Sequence, residues 1–339
     1  MRLWPVGWRG EQYRGLVNDM LVRGNEQVNK GWLSGQMFQY PLGGTQKIRG
    51  DGLFAMNPFA HFRHFKNTNS VALLAVATFV VAFGATGCAK LKARDDLNKG
   101  VAAYRDGKYD QSIEFFKQAK DLDPTLTNAR LYLATAYATQ YIPGAPSDEN
   151  IRMGEAAVKE FQDVLANDPN NISAIDGIGS ILYNMAGTPY SRDRFEESKT
   201  YHMKHIALKP EDPEPYYWIG VIDWTLSYRS DLELRGKWRL AHLTSKPLKD
   251  EDPMPPDVRA DYMKENGQLI DEGITDLRKA LELRPDYDDA MAYLNLLLRR
   301  KADEAATPDE RASLLKEADD LVEKAKEIKQ KKMEAPAKT

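Results

Sequence analysis

The sequence predicts an all-α protein: an α-solenoid of helical hairpins with insertions between the helices and a capping helix at the C-terminal end. Three observations predict it. Pro124, Pro169, Pro210 and Pro285 each close a helical pattern, and counting backwards from them aligns the same residue types. Five residues before stand Ala119, Val164, His205 and Ala280; eight before, Phe116, Phe161, His202 and Leu277; twelve before, Ser112, Ala157, Ser198 and Gly273. Nine and ten residues after each proline a large residue adjoins a small one, in Leu133-Ala134, Ile178-Gly179, Ile219-Gly220 and Leu294-Asn295. Steps of three and four keep such residues on one helical face, and proline cannot continue the helix it ends. Each unit therefore holds two helices, and turn-forming residues gather between them.

Residues 1–55 hold 10 of the 23 glycines and 3 of the 6 tryptophans without usable periodicity. They read as an upstream segment, either a miscalled start or disordered, with a cytoplasmic extension as the competing reading. From Met56 the pattern changes. Arg63 and Lys66 precede thirteen apolar residues, Val71 to Phe83, and Ala85-Thr86-Gly87-Cys88 follows. Thirteen residues fall short of the ~20 that a bilayer-spanning helix needs, but suit the apolar centre of a signal peptide. Small residues before a lone cysteine resemble the lipobox of bacterial lipoproteins. That resemblance implies a signal peptide over 56–87, cleavage before Cys88 and lipid attachment to its sulfur. Ala89, where an aspartate would retain a lipoprotein at the inner membrane, implies the outer membrane facing the periplasm. An uncleaved anchor helix from Ser70 to Gly87 is the alternative.

Residues 88–96 are expected as a linker and 97–305 as the repeats. In the first unit the pattern is Gly100, Tyr104, Gly107, Tyr109, Ser112, Ile113, Phe116, Ala119 and Pro124. It resembles the tetratricopeptide repeat, a helical hairpin of about 34 residues in which small residues let two backbones approach and an aromatic fills the crossing. The prolines here are 45, 41 and 75 residues apart, so the units carry insertions, expected near 141–150, 186–193 and 229–268. Repeats that stack only on their neighbours tolerate such loops. Ala306-Thr307-Pro308 breaks the pattern before a capping helix over 306–332, with Ala318, Val322 and Ala325 on one stripe, and 333–339 is expected as a disordered tail.

Composition narrows the function. Lys+Arg of 47 against Asp+Glu of 50 leaves no basic surplus for nucleic acid. A mean hydropathy of −0.57 excludes a polytopic membrane protein. Residues 1–87 carry 9 basic and 4 acidic groups, so 88–339 holds 38 and 46 and is acidic at −8. One cysteine excludes a disulfide framework and a cysteine-rich zinc site. No GxSxG, P-loop, GxGxxG or HExxH pattern occurs, and no enzyme, metal or cofactor is expected. His202 and His205 share a helical face, yet occupy columns held by Phe116 and Ala119 elsewhere, which points to packing at the helix crossing.

Tyr217, Val221, Trp224 and Tyr228 recur at steps of 4, 3 and 4. The tetratricopeptide resemblance implies that this side of the first helix lines a groove for a protein or peptide partner. Leu131, Thr135, Asp176, Tyr183, Leu296 and Arg299 fall on the same side of other units. The stripe reads either as that groove or as core covered by the third insertion. The expected function is a non-catalytic protein–protein interaction scaffold, lipid-anchored in a bacterial envelope. A structural, self-associating envelope module is the alternative, and an envelope enzyme or enzyme subunit a more distant one.

Overall fold

The computed structural model describes residues 88–242 and 254–334, and the chain divides into two compact units, Met1–Tyr132 and Leu133–Thr339. The expected signal peptide and upstream segment lie outside the described residues, as does the tail beyond residue 334. Among the described residues the structure is all-α, with no strand beyond a single bridge between Gly187 and Tyr190.

In the first unit, residues 88–105 form α1 and Tyr109–Leu122 form α2. The segment 88–96 is not a linker: it makes the first turns of α1, because Ala93, Asp96 and Leu97 are buried there and Lys92 donates to Asp96 at 2.7 Å. Gly107 turns the chain at φ +73°, a conformation costly for any residue with a Cβ. The hairpin closes on Phe116, whose ring lies so near Gly100 that a Cβ there would stand 2.4 Å from Cε1. Asp123 then fixes the exit turn, its Oδ1 accepting from Thr125 N at 3.1 Å and Thr125 Oγ1 at 2.6 Å.

Helix α3 (Thr127–Gln140) spans the boundary between the units. The second unit continues with α4 (Asp148–Asn167), α5 (Ile172–Ala186), α6 (Arg192–Leu208), α7 (Pro213–Ala241), α8 (Pro256–Leu283), α9 (Asp288–Glu304) and α10 (Pro308–Glu334). Five of these begin on a side-chain cap, the last on Thr307, whose Oγ1 accepts from Glu310 N at 3.2 Å. Ser147, Asn171, Ser191 and Asp212 accept from the backbone N–H of Asn150, Ala174, Arg194 and Glu214. Each such cap contributes about 1 kcal/mol over alanine. Each helix from α4 onward packs on its sequence neighbours, and α7 also packs on α9, the corresponding helix of the next hairpin. That neighbour-to-neighbour order is the α-solenoid the proline-anchored columns predict, and every aligned column is buried. Phe116, Phe161, His202 and Leu277 are at most 2 % exposed.

The insertions differ in kind. After α3 the chain is tied down by Asn150, which donates to Ile142 O and Ala145 O and accepts from Ile142 N at 2.6 Å. After α5, Ser191 N donates to Ala186 O at 2.9 Å and closes a tight turn. The span 229–268, by contrast, is largely helix: α7 runs on to Ala241 and α8 begins at Pro256, giving arms of 29 and 28 residues. A buried ion network lies along the arms. Asp231 Oδ1 accepts from Arg235 Nε at 2.7 Å and Oδ2 from Arg300 Nη1 at 2.8 Å, both Asp231 and Arg235 being fully buried. Asp303 adds a carboxylate within 3.9 Å of Arg235 and 3.6 Å of Arg300 and Arg311. The arms thus bury these charges in opposed pairs, since a buried ion without its partner is strongly destabilising.

Candidate functional site

The residues expected to line a groove divide by burial. Leu131 and Thr135 are 9 % and 7 % exposed, because α3 is packed around most of its circumference: Ala129, Leu133, Ala134, Ala136 and Ala138 are buried as well. They are core and offer no contact surface. Tyr217 and Val221 are corrected in the same way, at 2 % and 1 % exposed. Two tyrosines of the following hairpin lie against Tyr217: its ring centroid is 4.9 Å from that of Tyr287 and 5.8 Å from that of Tyr293, and Met254, Val258 and Tyr262 share its core cluster. A large aromatic at this position is reached by the neighbouring first helix, so helical spacing alone turned it toward a groove that the next unit fills.

The remainder stay half-buried. Trp224 and Tyr228, one turn apart on α7, stack with centroids 5.2 Å apart and planes 8° from parallel. Tyr293 of α9 meets Trp224 edge to face at 5.4 Å, and the Arg300 guanidinium stands 5.8 Å above the Tyr228 ring. Tyr183 of α5 joins the cluster through Trp218, again edge to face at 5.4 Å. Aromatic pairs in these geometries are worth about 0.5–1.5 kcal/mol beyond the area they bury. Leu296 and Arg299 are also half-buried on α9, Arg299 being held by Asn295 at 3.0 Å and Asp319 at 2.5 Å. Sequence reasoning missed Tyr293, which sits one residue past the column of Tyr217. The signal available was its aromatic type directly beside Ala292.

Asp176 does not belong to that surface. Its Oδ1 lies 2.7 Å from His205 Nδ1, and Asp212 Oδ2 lies 3.6 Å from His205 Nε2. Burial opposes charge on His205, but the two carboxylates prevail and raise its pKa to about 9, so the ring is an imidazolium linking α5, α6 and the cap of α7. His202 has the opposite fate. It lies against Gly179, stacks on Trp218 with planes 10° apart, and burial pushes it down to about 3, so it is neutral. Both histidines serve the helix crossing, as their columns predicted. A second clasp repeats the device one hairpin on: Glu214 accepts from Arg284 at 2.8 Å and from the Tyr287 hydroxyl at 2.7 Å.

Among the described residues no group of three or more His, Cys, Asp or Glu side chains is arranged to hold a metal ion, and no helix is long and apolar enough to cross a membrane. Cys88 is exposed at the beginning of the described chain. What this site offers chemically is a rigid aromatic surface bordered by guanidinium groups already paired to carboxylates.

Residues 97–126, covering most of α1 and α2, match the family model of the tetratricopeptide repeat. Among solved structures the chain is similar to "MamA 41-end" from Desulfovibrio magneticus RS-1, at 16 % identity over 71 % of this chain and 96 % of that one, with a TM-score of 0.46. It is also similar to YrrB, described as a TPR protein with an unusual peptide-binding site, at 13 % identity over 69 % and 90 %, with a TM-score of 0.42. A search of curated proteins returns no match.

Proposed function

We propose that this chain is a non-catalytic scaffold that binds a segment of a partner protein on the aromatic surface of α7 and α9. The observation that carries the reading is the partly buried stack of Trp224 on Tyr228, with Tyr293 set edge-on against it. Rigid aromatics lose little entropy on contact and concentrate binding energy. A tetratricopeptide unit is a protein-interaction module, and the match over residues 97–126 supports that class. Tyr183, Leu296 and Arg299 extend the surface; Tyr217 and Val221 support it from beneath.

The second part of the proposal is the address. The lipobox-like run ending at Cys88 supports export and acylation of that sulfur, with the outer membrane facing the periplasm as the destination. A single acyl chain holds a protein only marginally, so stable anchoring takes more than one, as triacylation of Cys88 provides. Confinement to a surface then raises the effective concentration for a partner in the same membrane.

Photo-crosslinking from positions 224 and 228 in membranes tests the surface. Trp224→Ala with Tyr228→Ala abolishes a specific adduct, and undiminished capture rejects the site. Mass spectrometry of the mature amino terminus tests the anchor: a triacylated Cys88 supports it and an intact Met1 overturns it. The burial of Tyr217 favours one competing reading, a structural module that associates with itself, because it narrows the open aromatic area. Sedimentation of the full chain separates the two, since a concentration-dependent dimer that persists in the double variant assigns the chain to self-association elsewhere.

A further inference from the structure

Away from the aromatic surface, three helices converge on one ammonium. Lys199 of α6 donates from Nζ to Asp223 of α7, at 2.8 Å to Oδ1 and 3.1 Å to Oδ2, and to Glu272 Oε2 of α8 at 3.0 Å. Asp276, one turn beyond Glu272, bears electrostatically on the same ammonium and on Glu272. Asp223 is fully buried and abuts Gly273, where a Cβ would stand 2.9 Å from its own. Glu272 is 45 % exposed and Lys199 11 %. Helix α9 contributes no further charge to the cluster: its Leu297 packs on Gly273, and its Lys301 engages Asp271 at 2.8 Å. The inventory is one ammonium from α6, one carboxylate from α7 and two from α8. With all of them ionised the site carries two negative charges in excess of its one ammonium, around a carboxylate without access to water.

We propose that this cluster is a proton-binding clasp between the hairpin α5–α6 and the hairpin α7–α8, in which uptake of one proton by the carboxylates gathered around Lys199 tightens the contact on acidification. Carboxylates that must share one cation in a desolvated site cannot all stay ionised at little cost, so one of them holds a proton more strongly than it does in water. Burial pushes Asp223 up to about 7 and Asp276 up to about 6, in each case against the pull of Lys199. The hydrogen bond from Lys199 holds Glu272 below its ordinary range, which keeps it the anionic arm of the clasp. The sign follows from linkage. A carboxyl raised in the fold binds more protons there than in the unfolded chain, so the contact strengthens as pH falls toward the ordinary carboxyl range and weakens as pH rises through 7. The inference does not depend on the aromatic surface.

Two measurements on the full chain test it. Side-chain carboxyl carbon NMR between pH 4.5 and 8.5 reads the proton, and hydrogen exchange in α6 and α8, corrected for intrinsic rates, reads the contact. In the wild type an aspartate titrates well above the usual carboxyl range, and protection rises about tenfold between pH 8 and pH 6. Asp276→Asn removes one negative charge at a partly exposed position, moves the remaining titration to lower pH and flattens the protection profile. Lys199→Met removes the cation and moves the titration up. Absence of any carboxyl titrating above about pH 5.5 overturns the proposal, as does a pH profile of protection that Asp276→Asn, with His205 intact, leaves unchanged.

Discussion

The first hairpin and the fourth close on the same contact and then part company. In α1–α2 the ring of Phe116 presses on Gly100, and in α7–α8 Leu277 presses on Gly220, where a Cβ would lie 2.3 Å from its Cγ. The first hairpin stops soon afterwards, α2 having only 14 residues. The fourth continues for about four further turns, and there Val258 and Tyr262 keep the core apolar while Asp231 and Arg235 add buried charge, paired with Arg300 of α9. The crossing decides that a hairpin forms, whereas the charges decide where its extended arms sit. An apolar stripe tolerates a shift of register more readily than two guanidinium groups that share one buried carboxylate.

That contrast can be broken at several points. The largest effect is expected from Asp231→Ala, which removes the acceptor shared by Arg235 and Arg300 and costs about 3–5 kcal/mol, read as a lower midpoint in urea unfolding. The matched pair Gly100→Ala and Gly220→Ala comes next. Each drives a methyl group into a packed side chain, for about 1–3 kcal/mol. Similar losses at both positions establish that the two hairpins share one closing contact, and a loss at only one rejects it. The histidines give a smaller effect with opposite signs. His205, raised to about 9 from an ordinary 6.5, contributes stability that is complete below pH 6.5 and lost as pH rises through 9. His202, depressed to about 3, contributes stability that is present above pH 6.5 and lost as pH falls through 3. In a urea series across pH, His205→Gln is expected to remove an alkaline loss on the order of 1–2 kcal/mol while leaving the acid limb in place. The smallest is Arg278→Ala, whose bridge to Glu317 is half-exposed at both ends, and it changes stability by less than about 1 kcal/mol.

Much of this was legible beforehand for a physical reason. The columns counted from Pro124, Pro169, Pro210 and Pro285 are local in sequence, and each describes one helix meeting its immediate partner. Phe116, Phe161, His202 and Leu277 are accordingly all core. The same logic kept the two histidines with the packing and away from metal chemistry. The groove residues were less legible, because facing outward is a property of three successive units. Tyr217 shares its helical side with Trp224, but Tyr287, some 70 residues on, sets its ring against the former, while Tyr293 meets both and leaves Trp224 only partly covered. Residues 88–96 fold as helix and not as linker: Lys92 and Asp96 pair within a helix whose buried side is carried by Ala93 and Leu97.

The sequence by itself determined the hairpins, their order, their closing contacts and the placement of the lone cysteine after an apolar run, since each of these rests on neighbours a few turns apart. Only the tertiary structure decided which aromatics stay half-open, that His205 is charged while His202 is neutral, and that Lys199 gathers carboxylates from two other helices. Those outcomes depend on desolvation and on charges brought together across 24 to 73 residues of chain, and no local pattern encodes either.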